Sequence, residues 1–325
     1  MAHSKKWFIN GTLATAGIIS SLFYFLKNKN KSPQQLKSIP PFFSGQAPYI
    51  FAHRGGMAMR PEQTQLAFDN AVEYGLDGFE TDVRLTKDEQ LIVFHDALVD
   101  RTTNGSGKVS EHTLAELKRL DAGYHFTDIN NQTPYRGHDK AKILSFEELL
   151  ELYPNMYINV DLKDAPDTYE GRIAPKVIYD NIIKHGAQHR VLVTSFHKKQ
   201  IQRFTEYNQA DIAIGASEGE VAEGFIKFNG MLGHTFKPQA DTFQMPVAYK
   251  GISLTSKRFI QWLNLNNIVP GYYGVNSIDL MTDLYHKGVH TLVTDRPDLG
   301  QQFKETLKSV SYTHLRAHET RGNIV

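Results

Sequence analysis

Two histidines end separate apolar runs of the sequence and could exchange protons with a substrate. His53 follows residues 49–52, His95 follows residues 91–94, and Arg54 stands directly beside the first histidine. Imidazole is the usual acid–base group near neutral pH, and a guanidinium can hold the oxygens of an anionic group. A lone histidine is more often structural. Two histidines beside fixed cations favour proton transfer on a phosphate diester.

Three carboxylates have the spacing of a metal site. Glu80 and Asp82 alternate along a predicted strand, so both point to one face, and Asp161 alternates in the same way with Lys163. Adjacent carboxylates repel unless a cation joins them, and oxygen ligands without cysteine favour Mg²⁺ or Ca²⁺ over zinc. The competing interpretation is a solvated strand face paired with basic residues. Because several polar strand ends converge, we expect a divalent cation at the carboxylates and phosphate at Lys163 and Arg54.

The elements that must position these groups alternate between strand and helix from residue 48 onward. Apolar runs bounded by turn residues alternate with amphipathic segments about eight times over roughly 255 residues. This α/β pattern and length predict a parallel (β/α)8 TIM barrel rather than an open doubly wound sheet, because no nucleotide-binding glycine motif follows the first strand. In such a barrel, residues at the carboxyl ends of the strands meet on one face.

The predicted elements are short strands and amphipathic helices, interrupted once by a long irregular segment. One predicted helix starts with a capping box formed by Ser145 and Glu148. Residues 100–144 interrupt the alternation and are rich in glycine, asparagine, threonine and aspartate, which predicts a lid or inserted subdomain over the active face. The predicted strands are 49–53, 78–85, 91–95, 156–163, 191–196, 212–216, 242–245, 269–275 and 291–294; the predicted helices are 64–74, 145–152, 173–185, 198–207, 220–228, 257–266 and 277–287.

The two ends of the chain are predicted to lie outside the barrel. Residues 7–26 contain no charged side chain, are long enough to cross a membrane as a helix, and have lysines on both sides. We therefore predict a single membrane anchor in residues 1–27 and a linker in residues 28–47, with a cleaved signal peptide as the alternative. The flanking lysines leave open which side of the inner membrane holds the barrel. Residues 311–325 lack an apolar period and are treated as a candidate non-native tail.

Composition excludes several classes of function. Lysine and arginine total 36 against 35 aspartates and glutamates, so the formal net charge of +1 gives no global attraction to nucleic acid. The chain has no cysteine, which excludes disulfides, a thiolate zinc site and a cysteine nucleophile. The expected partners are therefore a small-molecule substrate and, through the N-terminal segment, a membrane.

Residues 52–109 closely resemble the opening of the glycerophosphodiester phosphodiesterases. A His-Arg-Gly start, Pro-Glu-x-Thr, Glu-x-Asp-Val-x-Leu-Thr-Lys-Asp, and His-Asp followed by Asp-Arg-Thr-Thr-Asn-Gly occur in the family's order and spacing. Later matches, among them Asp121-Ala122-Gly123 and Thr294-Asp295-Arg296-Pro297, extend the resemblance to residues 48–299.

The resemblance implies a phospholipase-C-like phosphodiesterase barrel in residues 48–310, with an inserted subdomain at about residues 100–144. It implies hydrolysis of glycerophosphodiesters to sn-glycerol 3-phosphate and an alcohol. Two alternatives stay open: a lysophospholipase D that acts on lipids with one acyl chain, and an inactive binding module. The matched positions are His53 and His95 for catalysis, Glu80, Asp82 and Asp161 for the metal, and Arg54 and Lys163 for the substrate phosphate.

Three positions depart from the family's usual pattern. Asp161 stands where glutamate is usual, Gln63 replaces a more common asparagine, and Tyr273 opens a Tyr-Gly-Val-Asn run in place of Trp-Thr-Val-Asn. The shorter Asp161 side chain can alter metal geometry or affinity, whereas Tyr273 keeps an aromatic wall. Both histidines and the Glu-x-Asp pair are kept, so we expect activity. Three further residues are predicted to support the site without contacting substrate: Glu62, Ser195 and Tyr273. Glu62 is predicted to be a partner of Arg54, with an ordinary helix-start glutamate as the alternative.

Overall fold

The structure is a computed structural model that describes residues 37–322, with side chains through Ser309, and its compact body begins at Ile39. The strands are β1 (Tyr49–His53), β2 (Gly78–Leu85), β3 (Leu91–Val93), β4 (Tyr157–Leu162), β5 (Val191–Thr194), β6 (Ala213–Ile214), β7 (Thr242–Pro246), β8 (Ala248–Tyr249), β9 (Ile252–Ser253), β10 (Val269–Tyr273) and β11 (Thr291–Thr294). The α-helices are α1 (Gln65–Glu73), α2 (Leu114–Leu117), α3 (Phe146–Leu152), α4 (Tyr169–Lys184), α5 (Lys198–Tyr207), α6 (Glu218–Asn229), α7 (Lys257–Leu265), α8 (Ile278–Lys287) and α9 (Pro297–Gly322).

Eight of these strands form a parallel barrel. Their order is β6-β5-β4-β2-β1-β11-β10-β7, and every neighbouring pair is parallel. A parallel bridge between Gly215, just after β6, and Thr242 in β7 brings the two edges together. The predicted (β/α)8 barrel is confirmed, and β3 pairs antiparallel with the end of β2.

The strand register places the predicted site residues side by side. His53 in β1 is the partner of Glu80 in β2, and Asp82 in β2 is the partner of Asp161 in β4. Since successive side chains of a strand alternate between its faces, the three carboxylates share one face of the sheet.

The helices begin at side-chain caps that the sequence supplies. Thr64, Ser145, Ser217 and Ser277 each accept a hydrogen bond from a backbone N–H in the first turn of the helix that follows. The capping box predicted at Ser145 is present, because the Glu148 carboxylate accepts from the Ser145 backbone N–H at 2.8 Å.

Aromatic side chains fill the barrel at the amino ends of the strands. Phe42 and Phe43 belong to a short 3₁₀ helix, and both side chains are buried. The Phe42 ring meets the rings of Tyr49, Phe51 and Tyr157 edge to face. These two phenylalanines lie within the predicted linker, so the folded body starts before the predicted barrel boundary.

The segment between β3 and α3 forms a small lobe with its own apolar centre. Phe94, Val99, Val109, Leu117 and Ile143 are buried together there. The lobe contains α2 and a single 3₁₀ turn, and it spans the predicted insertion.

A hairpin formed by β8 and β9 is missing from the sequence prediction. Its turn residues Lys250 and Gly251 both have positive φ, 48° and 80°. That backbone matches the tight two-residue turn of a β-hairpin. Each strand is two residues long, so neither carries a readable apolar alternation.

The predicted anchor, residues 7–26, lies outside the described residues. Among residues 37–322, no helix is both long and apolar enough to cross a membrane. At the other end, α9 continues to Gly322 and includes most of the candidate non-native tail.

Candidate active site

Three carboxylates with little solvent exposure, Glu80 and Asp82 of β2 and Asp161 of β4, lie level with the carboxyl ends of β1 and β4. Asp82 and Asp161 are almost fully buried, and Glu80 Oε2 and Asp161 Oδ1 have no hydrogen-bond partner. Burial raises the pKa of Glu80 to about 7, and the negative charge of Asp82 adds to the rise. Burial also raises the pKa of Asp161, against the opposing effect of Lys163. This cluster would be stabilised by a further positive charge.

The Lys163 ammonium lies between two of these carboxylates. Its Nζ is 2.9 Å from Asp82 Oδ1 and 2.7 Å from Asp161 Oδ2. Burial lowers the pKa of Lys163, but the two aspartates outweigh burial and the net shift is upward. In the part of the chain that the structure describes, no group of three His, Asp or Glu side chains is placed to hold a metal ion as it stands.

His53 is held on both sides of its ring. Its Nδ1 is 2.5 Å from Asp295 Oδ1, and its Nε2 is 3.6 Å from Glu80 Oε2. Burial lowers the pKa of His53, but Glu80 and then Asp295 raise it, and the net shift is upward. Asn276 Nδ2 donates at 2.6 Å to the second oxygen of Asp295. The aspartate therefore orients the ring and leaves Nε2 facing the carboxylates.

His95, which follows β3, has a similar arrangement. Its Nδ1 is 2.7 Å from Asp96 Oδ1. Arg101, from the inserted lobe, donates through Nε to the other oxygen of Asp96. The Nη atoms of Arg101 donate to both oxygens of Glu62, at 2.9 and 2.7 Å. Each histidine thus has a carboxylate at Nδ1 that another side chain holds in place.

Arg54 connects Glu62 to the acidic cluster. Its Nη1 donates at 3.0 Å to Glu62 Oε1, and its Nε is 3.4 Å from Asp82 Oδ2 without making a hydrogen bond. Burial raises the pKa of Glu62, but Arg101 and Arg54 together lower it below its usual value. The contact between Glu62 and Arg54 is present, and the free Nε–H can donate to an anionic ligand.

The remaining predicted residues lie around the same cluster. Ser195 Oγ donates at 2.8 Å to the backbone oxygen of Leu162, which ties the end of β5 to β4. Tyr273, at the end of β10, lines a chamber that also reaches Glu80 and Asp161. The structure therefore brings all the predicted site residues to one end of the barrel, and Ser195 supports the strand ends there.

Several residues that hold the site are missing from the sequence prediction. Asp295 follows β11 and Asp96 follows His95, so a polar residue at a strand end was a usable signal for both. Gln63 donates through Nε2 to Asp82 Oδ2 at 2.5 Å from the loop before α1. Neither Gln63 nor Arg101 ends a strand. Both stand inside motifs of the sequence, Pro-Glu-x-Thr and Asp-Arg-Thr-Thr-Asn-Gly, but those motifs do not indicate what the two side chains contact.

A barrel with two histidine–aspartate pairs beside buried carboxylates and cations has the arrangement of an acid–base enzyme for an anionic ester. The sequence profile of the glycerophosphoryl diester phosphodiesterase family matches residues 53–299, and the chain belongs to this family. The resemblance found in the sequence is confirmed.

Related sequences agree with this assignment. A glycerophosphodiester phosphodiesterase from Bacillus altitudinis is 32% identical over 268 residues, which cover 80% of this chain and 99% of the relative. Another from Bacillus subtilis strain 168 is 37% identical over 157 residues, which cover 46% of this chain and 53% of the relative.

Solved structures share the barrel. A glycerophosphoryl diester phosphodiesterase domain from Mycobacterium tuberculosis superimposes with a TM-score of 0.68 at 21% identity, covering 80% of this chain and all of that one. An Oleispira antarctica phosphodiesterase in complex with the product sn-glycerol-3-phosphate gives 0.63 at 22% identity, covering 80% of this chain and 97% of that one. These two likenesses show the fold.

Proposed function

We propose that this protein hydrolyses glycerophosphodiesters to sn-glycerol 3-phosphate and an alcohol. The observation that carries the proposal is the pair of histidines, each with Nδ1 against an aspartate, beside one cluster of buried charges. Family membership supports it, as does the relative from Oleispira antarctica that holds sn-glycerol-3-phosphate.

The two histidines divide the proton transfers. An Nδ1–H bonded to its aspartate leaves Nε2 as the reactive nitrogen of each ring. One neutral imidazole takes a proton from the attacking oxygen as that oxygen bonds to phosphorus. The other ring, protonated, gives a proton to the alcohol oxygen as its bond to phosphorus breaks. Arg54 and Lys163 hold the non-bridging oxygens.

The attacking oxygen belongs to water or to the glycerol hydroxyl of the substrate, and both fit the same pair of histidines. Attack by the hydroxyl forms a cyclic phosphate that water then opens. A cyclic phosphate trapped during turnover identifies the second route, and direct incorporation of labelled water without it identifies the first.

The acidic residues fit a divalent cation. Glu80 Oε2 and Asp161 Oδ1 are buried acceptors without donors, and carboxylate oxygens are the ligands that Mg²⁺ and Ca²⁺ prefer. Glu80, Asp82 and Asp161 would hold the ion. When bound, it supplies positive charge that stabilises the phosphoryl oxygens.

Glycerophosphocholine hydrolysis, measured before and after metal removal, tests the proposal. We expect EDTA-treated protein to lose activity and Mg²⁺ or Ca²⁺ to restore it. Calorimetric titration should show a metal site that Glu80→Gln weakens. Full activity in metal-free protein contradicts the metal site. Failure to cleave any of several glycerophosphodiesters, with either ion present, contradicts the function.

We also propose that residues 7–26 anchor the enzyme in the inner membrane, on the strength of their uncharged length and lysine flanks. The full chain should sediment with membranes, and a chain starting at residue 31 should stay in the supernatant. Equal partitioning of the two chains contradicts the anchor.

A further inference from the structure

The backbones of the two site histidines are held in different ways. His53 is the last residue of β1 and is paired in the barrel with Glu80 of β2. His95 lies two residues beyond Val93, where β3 and its pairing with β2 end. Catalytic groups have to be held within about 0.5 Å of their productive position. His95 therefore needs a support other than the sheet.

Arg84 of β2 supplies such a support. Its Nε donates at 2.8 Å to the backbone oxygen of His95, and its Nη1 lies 3.5 Å from the backbone oxygen of Lys163. Arg84 follows Glu80 and Asp82 at alternate positions of the strand, so the three side chains share one face. The guanidinium is planar, and its N–H groups donate in fixed directions. Arg84 therefore fixes the position of the chain that leaves β3.

Asp164 holds this guanidinium in place. Its Oδ1 accepts from Arg84 Nη1 at 3.1 Å, and its Oδ2 accepts from the backbone N–H of Leu85 at 2.8 Å. The backbone oxygen of Asp164 accepts at 2.9 Å from Nε2 of Gln200, a fully buried residue of α5. The carboxylate is thus fixed both to β2 and to α5. Arg84 cannot turn away from His95 without leaving this buried carboxylate unpaired, which is costly.

A second arginine shows the purely structural counterpart of this arrangement. Arg190 stands directly before β5, at the amino end of the barrel. It donates to three backbone oxygens, at 2.9 to 3.3 Å, and none of the three residues belongs to the site: Leu150, Tyr153 and Met156. Apolar side chains in place of a buried ion pair are often neutral or stabilising, so stability alone does not account for the pairing of Arg84 with Asp164.

We propose that Arg84, held by Asp164, is a positioning residue for His95. Arg84 fixes the backbone from which the His95 ring projects, and Asp96 then fixes the direction of the ring. This inference deepens, and rests on, the proposed diester hydrolysis, because it concerns a histidine that transfers a proton in that reaction. Loss of the support should lower kcat and leave KM nearly unchanged, since the Lys163 ammonium keeps its own carboxylate partners.

Arg84→Lys in the full chain tests the support. Lysine keeps a positive charge beside Asp164, but its single nitrogen cannot replace the planar fork that reaches both the carboxylate and the His95 oxygen. With glycerophosphocholine, we expect kcat to fall about tenfold and KM to change less than about twofold. Arg190→Lys makes the same change at the structural counterpart and should keep kcat. If Arg84→Lys lowers the melting temperature markedly, Asp164→Asn replaces it, because a neutral amide holds the guanidinium less firmly.

The same substitution in a His95→Ala protein separates positioning from a general disturbance of the site. There Arg84→Lys should lower the remaining kcat less than about twofold, because the effects of two substitutions that act through one group do not add. A loss of about tenfold in both proteins overturns the inference, since Arg84 then affects the reaction without His95. An unchanged kcat in the otherwise unsubstituted chain also overturns it.

The His95 ring itself provides a readout that needs no turnover. Magnetic resonance of the full chain in detergent, with isotope-labelled histidine, gives one ring signal for each histidine, and alanine substitution identifies those of His95 and His53. Arg84→Lys should shift or broaden the His95 signal and leave the His53 signal unchanged, whereas Arg190→Lys should change neither.

An unchanged His95 signal in both Arg84→Lys and Asp164→Asn overturns the inference. Hydrolysis by the unsubstituted chain tests the proposed function separately. If that chain cleaves none of several glycerophosphodiesters, the proposed reaction is wrong, and the His95 signal still decides whether Arg84 positions the ring.

Discussion

The two ends of the barrel are closed by opposite chemistry. At the carboxyl end, Asp82, Asp161 and Lys163 form buried ion pairs. At the amino end, the rings of Phe43 and Tyr49 close edge to face around His290. Buried charges carry electrostatic free energy that a bound ion or phosphate can relieve, whereas buried rings contribute contact area.

This difference separates function from stability along the barrel axis. Carboxyl-end substitutions should change the reaction more than the fold, because Glu80 Oε2 and Asp161 Oδ1 there have no hydrogen-bond donor whose loss would destabilise the fold. Amino-end substitutions should change the fold more than the reaction, because no reacting group lies among the rings. Each end therefore serves as the control for the other.

Removing a carboxyl-end histidine should have the largest effect. His53→Ala or His95→Ala should lower kcat/KM for glycerophosphocholine about 10²–10⁴-fold, since each deletes one proton transfer. Steady-state kinetics and melting temperature are measured together. His290→Phe, at the other end, is the control and should keep kcat/KM. A folded His53→Ala protein with unchanged hydrolysis would show that the assigned role is wrong.

Truncating an amino-end ring should have the converse effect. Phe42 is 1% exposed and packs against several rings, so Phe42→Ala should lower the free energy of unfolding by about 3–5 kcal/mol. Denaturant unfolding measures the loss, and kcat per folded molecule should be preserved. Ile129→Ala, at a side chain that is 97% exposed, should change stability by less than about 0.5 kcal/mol. Similar losses of stability from both variants would contradict the role given to the buried rings at the amino end.

The fold could be predicted because its strands carry local signals. The strands Tyr49–His53 and Thr291–Thr294 and the helix Lys198–Tyr207 are predicted at their observed bounds, since each is an apolar or amphipathic run between turn residues. The buried rings at the amino end of the barrel could not be predicted in this way. Phe42 and Phe43 stand in a short proline-flanked stretch without any period, and their burial depends on strands far along the chain.

The site also divides into residues that a local sequence pattern predicts and residues whose contacts depend on distant parts of the chain. His53 ends an apolar run, and Glu80 and Asp82 alternate on one face of the next strand, which a parallel barrel places beside that strand end. Arg101 lies in the irregular inserted lobe and is 39 residues away from Glu62 in the sequence. No local pattern therefore predicts the contact between them. Gln63 bonds Asp82 from a backbone with a φ of 58°, a conformation set by the surrounding loop rather than by residue type.

Lowering the pH should destabilise the fold through His290 at the amino end of the barrel. Burial lowers the pKa of His290 to about 4, below the value of about 6.5 expected in the unfolded chain. Between these two pH values, His290 is protonated in the unfolded chain and neutral in the folded chain. The contribution of neutral His290 to stability is therefore complete above about pH 6.5 and is lost as the pH falls towards 4. The loss amounts to roughly 2–4 kcal/mol.

The free energy of unfolding, measured for the parent protein and for His290→Phe between pH 8 and pH 4, isolates this group from the carboxylates that titrate in both. The parent should lose more stability than the variant over that interval. Parallel curves for the two proteins would contradict the assignment.

The smallest expected effect is that of removing Arg101, through which the inserted lobe contacts the site at the carboxyl end of the barrel. Arg101 holds Asp96 and Glu62, but its side chain is 49% exposed, and exposed ion pairs contribute little to stability. Arg101→Ala should therefore leave the melting temperature nearly unchanged and lower kcat about threefold to tenfold, because Asp96 then orients His95 less firmly. Lys108→Ala removes another exposed cation of the same lobe, paired with Glu111, and should leave kcat unchanged. If both variants lose the same activity, the loss reflects the charge of the lobe and not the position of His95.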